Sequence, residues 1–184
     1  VTLPDNRTVR LFFAVVPDAA TGERIAAAAA ALPREPQSVL VPRNNYHMTL
    51  AFVGEVAAPQ TQLLRHIGAA QRASAFALRF DSYEYWPKPE VVVAAARSIA
   101  PPLDALWRQL HRELAQYQWA LNAKRLRPHV TLARKVAQAP VLQAMSSFDW
   151  LMREFCLMRS DTSGKQPAYT VVDTWPLLDN SEKA

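Results

Sequence analysis

Residues 44–54 read Asn44-Asn45-Tyr46-His47-Met48-Thr49-Leu50-Ala51-Phe52-Val53-Gly54. A polar turn signal runs into a short apolar segment of alternating type that ends at glycine, a pattern that predicts a β-strand. On a strand of period two, His47 and Thr49 share one face while Met48 and Leu50 take the other. The tetrad returns as His129-Val130-Thr131-Leu132, 82 positions further on. The chain has four histidines, at positions 47, 66, 111 and 129, and two of them head this pattern. A single strand histidine is ordinarily structural. An ordered pair, each with Thr and Leu at the same offsets, reads as a duplicated half-site.

Working outward from the first tetrad, Arg10 to Val16 reads as a buried strand ending at Pro17, after a loose leader at residues 1–6. Asp18 is the expected N-cap of a helix from Ala19 to Leu32, with Ile25, Ala28, Ala29 and Leu32 on its apolar side. Beyond the tetrad, a helix is expected over Pro59 to Arg72 and a half-exposed strand through Phe76, Leu78 and Phe80. The aromatic run Tyr83-Glu84-Tyr85-Trp86 either rims a ligand or covers an edge of the core. Glu90 to Ala96 reads as a second buried strand, and residues 101–118 as an amphipathic helix behind paired prolines. After the second tetrad come a short helix at 138–147 and strands from Arg153 to Arg159 and from Tyr169 to Trp175. Moving Val9 by the tetrad interval of 82 lands on Val91.

Both halves therefore follow one order. The expectation is an α+β (mixed α/β) fold: a single bilobal domain over 1–184 with repeats at about 7–86 and 88–175. Approximate two-fold symmetry would bring His47, Thr49, His129 and Thr131 together in a central cleft.

Composition narrows the function classes. Half of the 184 residues are hydrophobic, which argues against disorder, and the apolar strand runs are too short to cross a membrane. A single cysteine, Cys156, rules out an internal disulfide framework and a multi-cysteine zinc site. Flanked by Phe155, Leu157 and Met158, it reads as a buried thiol, compatible with a cytoplasmic location. The net charge is +5, and Lys124, Arg125, Arg127, Arg134 and Lys135 bracket the second tetrad with no acid among them. That cluster suits a phosphate or polyanion, although a solvated loop would look the same.

Two imidazoles titrating near pH 6.5 can supply opposite proton-transfer roles, and threonine hydroxyls can donate to phosphoryl oxygens. Neither tetrad carries Asp, Glu or Cys, so no metal ligand set and no cofactor is expected. His66 and His111 fall within helices and are assigned no chemistry.

The paired tetrads, with Arg10-Leu11-Phe12-Phe13-Ala14 and Arg127-Pro128-His129-Val130-Thr131-Leu132-Ala133-Arg134, resemble the two-histidine phosphoesterase superfamily. Within it the pattern is similar to RNA 2′,3′-cyclic phosphodiesterases, also called 2′–5′ RNA ligases, and the likeness covers nearly the whole chain. The resemblance implies hydrolysis of a terminal 2′,3′-cyclic phosphate to a 2′-phosphomonoester, with ATP-independent 2′–5′ joining as a related activity. It implies that His47 is the proton donor to the departing 3′-oxygen and His129 the acceptor that activates water. Thr49 and Thr131 are expected to hold non-bridging oxygens. Arg134 is expected, by strand alternation, to share the face of Thr131 and neutralise charge there. Arg10, Phe12, Tyr46, Trp86, Lys124, Arg125 and Arg127 are the candidate RNA contacts, with Tyr85 a further aromatic in the same region, and for each aromatic structural packing is the leading alternative reading. The expected partners are RNA ends or small nucleotides bearing a 2′,3′-cyclic phosphate, met by a monomer. A phosphodiesterase for another small cyclic or 2′–5′ nucleotide and a binding module without turnover remain as alternatives.

Overall fold

The structure is a computed structural model that describes residues 8–119, 121, 125–164 and 167–179. The leader at 1–6 lies outside these residues, as does Lys124. The elements follow in the order β1 (Thr8–Val15), α1 (Ala19–Ala30), β2 (Val39–Leu40), a 3-10 turn at Arg43–Asn45, β3 (Met48–Ala57), α2 (Gln60–Ala70), β4 (Phe76–Phe80) and β5 (Ser82–Trp86). The second half supplies β6 (Val91–Ala95), α3 (Pro101–Gln116), β7 (His129–Arg134), β8 (Phe148–Met152), β9 (Glu154–Asp161) and β10 (Ala168–Pro176).

The helices form where capping and periodicity ask for them. The Asp18 carboxylate accepts a hydrogen bond from the Thr21 backbone N–H at 2.7 Å, which satisfies one of the free donors of the first turn of α1. In α3, prolines occupy the first helical positions, where no backbone donor is needed, and Leu103, Leu106, Leu110 and Leu114 are fully buried along one stripe.

Two four-stranded sheets carry the molecule, ordered β10-β9-β1-β3 and β2-β7-β6-β5, and β4 pairs separately with β8. Each sheet draws two strands from each half of the chain. The helices cross over as well. α1 follows β1 of the first sheet and packs on β7 of the second, whereas α3 follows β6 and packs on β3. The main core, built around Phe13, Ile25, Leu64, Phe80, Leu106, Leu132 and Trp150, fills the space between these layers.

Two expectations change, and one open alternative is resolved. Residues 138–147 form no helix. Pro140 interrupts backbone donation there, Val141 is 89% exposed, and only Leu142 and Met145 reach the core in part. The aromatic run at 83–86, read as a ligand rim or a cover of the core, forms strand β5 beside β6, with Tyr83 and Tyr85 packed on the core and Trp86 lining a cavity. The Val9-to-Val91 match does not hold in the ladders either. Ala14 faces Thr49 while Val93 faces Thr131, so the equivalent first-strand positions lie 79 apart rather than 82. A strand must match its ladder partner, and a longer connection to α3 takes up the three residues.

One irregularity positions everything that follows. In β3, Phe13 faces Ala51 but Ala14 faces Thr49, so Leu50 has no partner in β1. In β7, Val92 faces Ala133 but Val93 faces Thr131, so Leu132 has none in β6. Each tetrad thus ends in a β-bulge at its leucine, which buries two consecutive residues, Leu50-Ala51 and Leu132-Ala133.

Candidate active site

β3 is the edge of its sheet. Strand β2 covers only Ala133 and Arg134 of β7, leaving the side of His129 to Thr131 without a strand neighbour. β3 and β7 approach one another there. Thr49 and His129 line one cavity of about 420 Å³, together with Phe52, Trp86, Trp107, His111, Arg125 and Arg127. A hollow of about 230 Å³ is lined by Asn45, Arg134, Lys135, Pro167 and Tyr169.

The two histidines are held alike. His47 Nδ1 lies 2.8 Å from the carbonyl oxygen of Asn45, and His129 Nδ1 lies 2.6 Å from that of Arg127. A carbonyl oxygen only accepts, so each ring donates from Nδ1–H and keeps Nε2 as the nitrogen available for proton transfer. Aromatic rings brace both. Phe12 and Tyr169 stand 5.0 and 4.9 Å from the His47 ring, and Trp86 stands 4.4 Å from His129. Trp86 is itself fixed, with its Nε1–H donating to Glu84 at 2.8 Å and the Arg127 guanidinium 4.4 Å above its ring. Glu84 also pairs with Arg127 at 2.6 Å.

Burial dominates the electrostatics. It pushes the pKa of His47 down to about 4, opposed by the bond to Asn45 and reinforced by the charges of Arg134 and His129. His129 is also lowered, first by burial, with the bond to the Arg127 carbonyl and the nearby Glu84 acting the other way. That His47 feels both Arg134 and His129 places the three groups within one electrostatic neighbourhood.

Arg134 reaches this neighbourhood for a reason other than the expected one. It stands three residues after Thr131, an interval that regular alternation would turn to the opposite face. The bulge at Leu132 inserts the extra residue that restores the face. Among the described residues Arg134 has no carboxylate partner, unlike Arg127.

Other expected contacts divide. Tyr46 is 3% exposed and belongs to the main core, so it is not available to RNA. Phe12 is 2% exposed and supports His47 and Tyr169, leaving no free face for a base. Tyr85 donates its hydroxyl to the Val136 carbonyl at 2.9 Å, a structural tie. Arg10, Arg125 and Arg127 are exposed.

The family model for the 2'-5' RNA ligase superfamily matches residues 16–164, most of the chain and both tetrads. The chain belongs to that superfamily. It is 29% identical to the RNA 2',3'-cyclic phosphodiesterase of Escherichia coli, over 74% of this chain and 78% of that protein. It is 31% identical to the protein of the same name from Thermus thermophilus, over 74% of each chain. In three dimensions it resembles the crystal structure of E. coli LigT complexed with 3'-AMP, with a TM-score of 0.82 and 27% identity. That match covers 94% of this chain and 99% of the other.

Four side chains of this superfamily member escaped the sequence reading: Phe52, Trp107, His111 and Tyr169. Phe52 had a usable signal, because it stands 82 residues before Arg134 and follows the first bulge as Arg134 follows the second. It is 47% exposed, with the Arg10 guanidinium 4.9 Å from its ring centre. The duplication is therefore broken at this position, an aromatic ring in one half standing where the other has a cation. Tyr169 and Trp107 come from segments outside both tetrads, and nothing local marks them.

Proposed function

We propose that this chain hydrolyses the 2′,3′-cyclic phosphate at an RNA end to a 2′-phosphomonoester. The observation that carries this reading is the pair of identically tethered imidazoles, each followed by a threonine two residues on, in one basic neighbourhood. The names of its relatives point to the same substrate.

In this reading His129 Nε2 takes a proton from water as the water oxygen attacks phosphorus. His47 gives a proton to the 3′-oxygen as the P–O3′ bond breaks, and the phosphate stays on the 2′-oxygen. Thr49 and Thr131 donate to the non-bridging oxygens, and Arg134 neutralises the charge gathering on them. A proton donor must enter the reaction protonated, yet burial depresses His47 in the free protein. An anionic phosphodiester next to the ring raises its pKa, so substrate binding itself loads the acid. With an RNA 5′-hydroxyl in place of the attacking water, the same displacement of the 3′-oxygen gives the 2′–5′ joining after which the superfamily is named. Phe52, Trp86, Arg125 and Arg127 offer aromatic faces and cations for the body of the RNA. One chain supplies all these groups, so the enzyme acts as a monomer.

The test compares RNA ends carrying 2′,3′-cyclic, 2′- and 3′-phosphates, in EDTA, with phosphorus NMR of the products. Only the cyclic end is expected to be consumed, yielding the 2′-phosphate. His47→Ala and His129→Ala are each expected to lower the single-turnover rate by roughly 10²–10⁴-fold while the protein stays folded. Tight binding without product from the wild type would overturn the reading in favour of a binding module.

A further inference from the structure

Leu50, the residue of β3 with no register partner in β1, turns its carbonyl to α3. His111 Nε2 lies 3.1 Å from the Leu50 carbonyl oxygen. The carbonyl can only accept, so the imidazole donates from Nε2–H. The His111 ring lies 4.1 Å from that of Trp107, one helical turn earlier and tilted by 36°, and both line the cavity shared by Thr49 and His129. The second half contains the same arrangement built differently. There the carbonyl of Leu132, the bulged residue of β7, accepts the backbone N–H of Val41 at 2.8 Å. Two equivalent carbonyls are thus each clamped by a donor from a neighbouring element, one a backbone amide and the other a side chain.

We propose that His111 is a positioning residue, which clamps the β3 bulge through Leu50 and so holds Thr49 and Phe52 on the face of His47. The proposal deepens the phosphodiesterase reading and rests on it for its kinetic consequence. The physical ground is the parity of the strand. One residue of slip exchanges the two faces, so Thr49 and Phe52 stay on one face only while Leu50 remains the inserted residue. β3 is an edge strand, and β1, its one ladder neighbour, offers the inserted Leu50 no partner residue. Leaving that carbonyl unpaired is costly, and the strand can recover the bond only by shifting. His111 touches no reacting atom in this account.

The experiment compares His111→Phe, which keeps a ring to pack against Trp107 but has no donor, with His111→Gln, whose amide nitrogen falls near the Nε2 position. On a 2′,3′-cyclic phosphate RNA end, His111→Phe is expected to lower kcat roughly tenfold, because a small misplacement of a phosphate-holding group is amplified in the rate. KM is expected to stay within about twofold, since RNA affinity rests on phosphate contacts elsewhere in the groove. His111→Gln is expected to recover most of kcat. A loss shared equally by the two variants, or no loss in His111→Phe, would overturn the proposal. If His111→Phe does not fold, His111→Asn, whose amide stops short of Leu50, takes its place with the same expectations. Amide NMR supplies a readout independent of turnover. The backbone resonances of Leu50 and Ala51 are expected to move in His111→Phe and to return in His111→Gln, and resonances that stay in place would overturn the proposal. A wild-type protein inactive on cyclic phosphates would sink the phosphodiesterase reading alone, with these resonances still deciding whether His111 holds the bulge.

Discussion

His47 and His129 are tethered in the same way, and the burial of His47 has a thermodynamic signature. His47 titrates near 4 in the folded protein, against about 6.5 in an unfolded chain. Between these values the unfolded state binds a proton that the native state excludes. Stability therefore rises with pH through this window, is fully present above pH 6.5, and is lost as pH falls towards 4. The expected contribution is on the order of 2 kcal/mol, allowing for solvent on the open side of the ring. His129 shifts in the same direction and adds with the same sign. Replacing His47 with Asn keeps a donor near the Nδ1 position and removes the titration. The gap in unfolding free energy between wild type and this variant is expected to change by that amount from pH 7 to pH 4, measured by urea denaturation. A gap independent of pH would contradict the burial assigned to the ring. At this scale the sequence was highly legible, because His47, Thr49, His129 and Thr131 stand in a repeated pattern. Tyr46 and Phe12 pack in the interior, an outcome the sequence left open because an aromatic side chain reads the same whether it meets a base or fills a core.

At the scale of elements, the bulges and helix contacts decide what faces what. A bulge is set by the partner strand, so neither Leu50 nor Leu132 carries a local mark of being inserted. Arg134 shows the consequence, since its interval from Thr131 predicts the wrong face until the insertion is counted. Helix α2 offers a test of packing at the same scale. A β-carbon built on Gly68 would stand 2.4 Å from the Trp175 ring of β10, a ring that also packs against Phe13 and Phe155. Ala is otherwise the better helix former by roughly 0.5–1 kcal/mol. Here the clash is expected to win, and Gly68→Ala should lose about 1–3 kcal/mol of stability in chemical denaturation. A variant as stable as the wild type would mean that Trp175 has room to move aside. The helices α1 and α3 were readable because a cap, paired prolines and an apolar stripe are local features. The helix expected at 138–147 failed because only Leu142 and Met145 among its apolar residues reach the core, and those in part.

For the molecule as a whole, the duplication in the chain and the two sheets in space are different divisions. The first sheet joins β1 and β3 to β9 and β10, and the second joins β2 and β5 to β6 and β7. A chain cut near residue 87 leaves each sheet short of two strands and exposes their apolar faces. Neither fragment is therefore expected to fold alone, while an equimolar mixture is expected to regain cooperative unfolding and cyclic-phosphate hydrolysis. Dispersed amide NMR spectra from an isolated fragment would count against this interleaving. Local pattern settled which residues form the half-sites and the chemistry they suit, because side-chain type and period are properties of adjacent positions. Only the tertiary structure decided that Leu50 and Leu132 are inserted, and so that Phe52 and Arg134 share the faces of the two tetrads. Those outcomes come from pairing between distant strands, and no interval along the chain encodes which neighbour a strand will find.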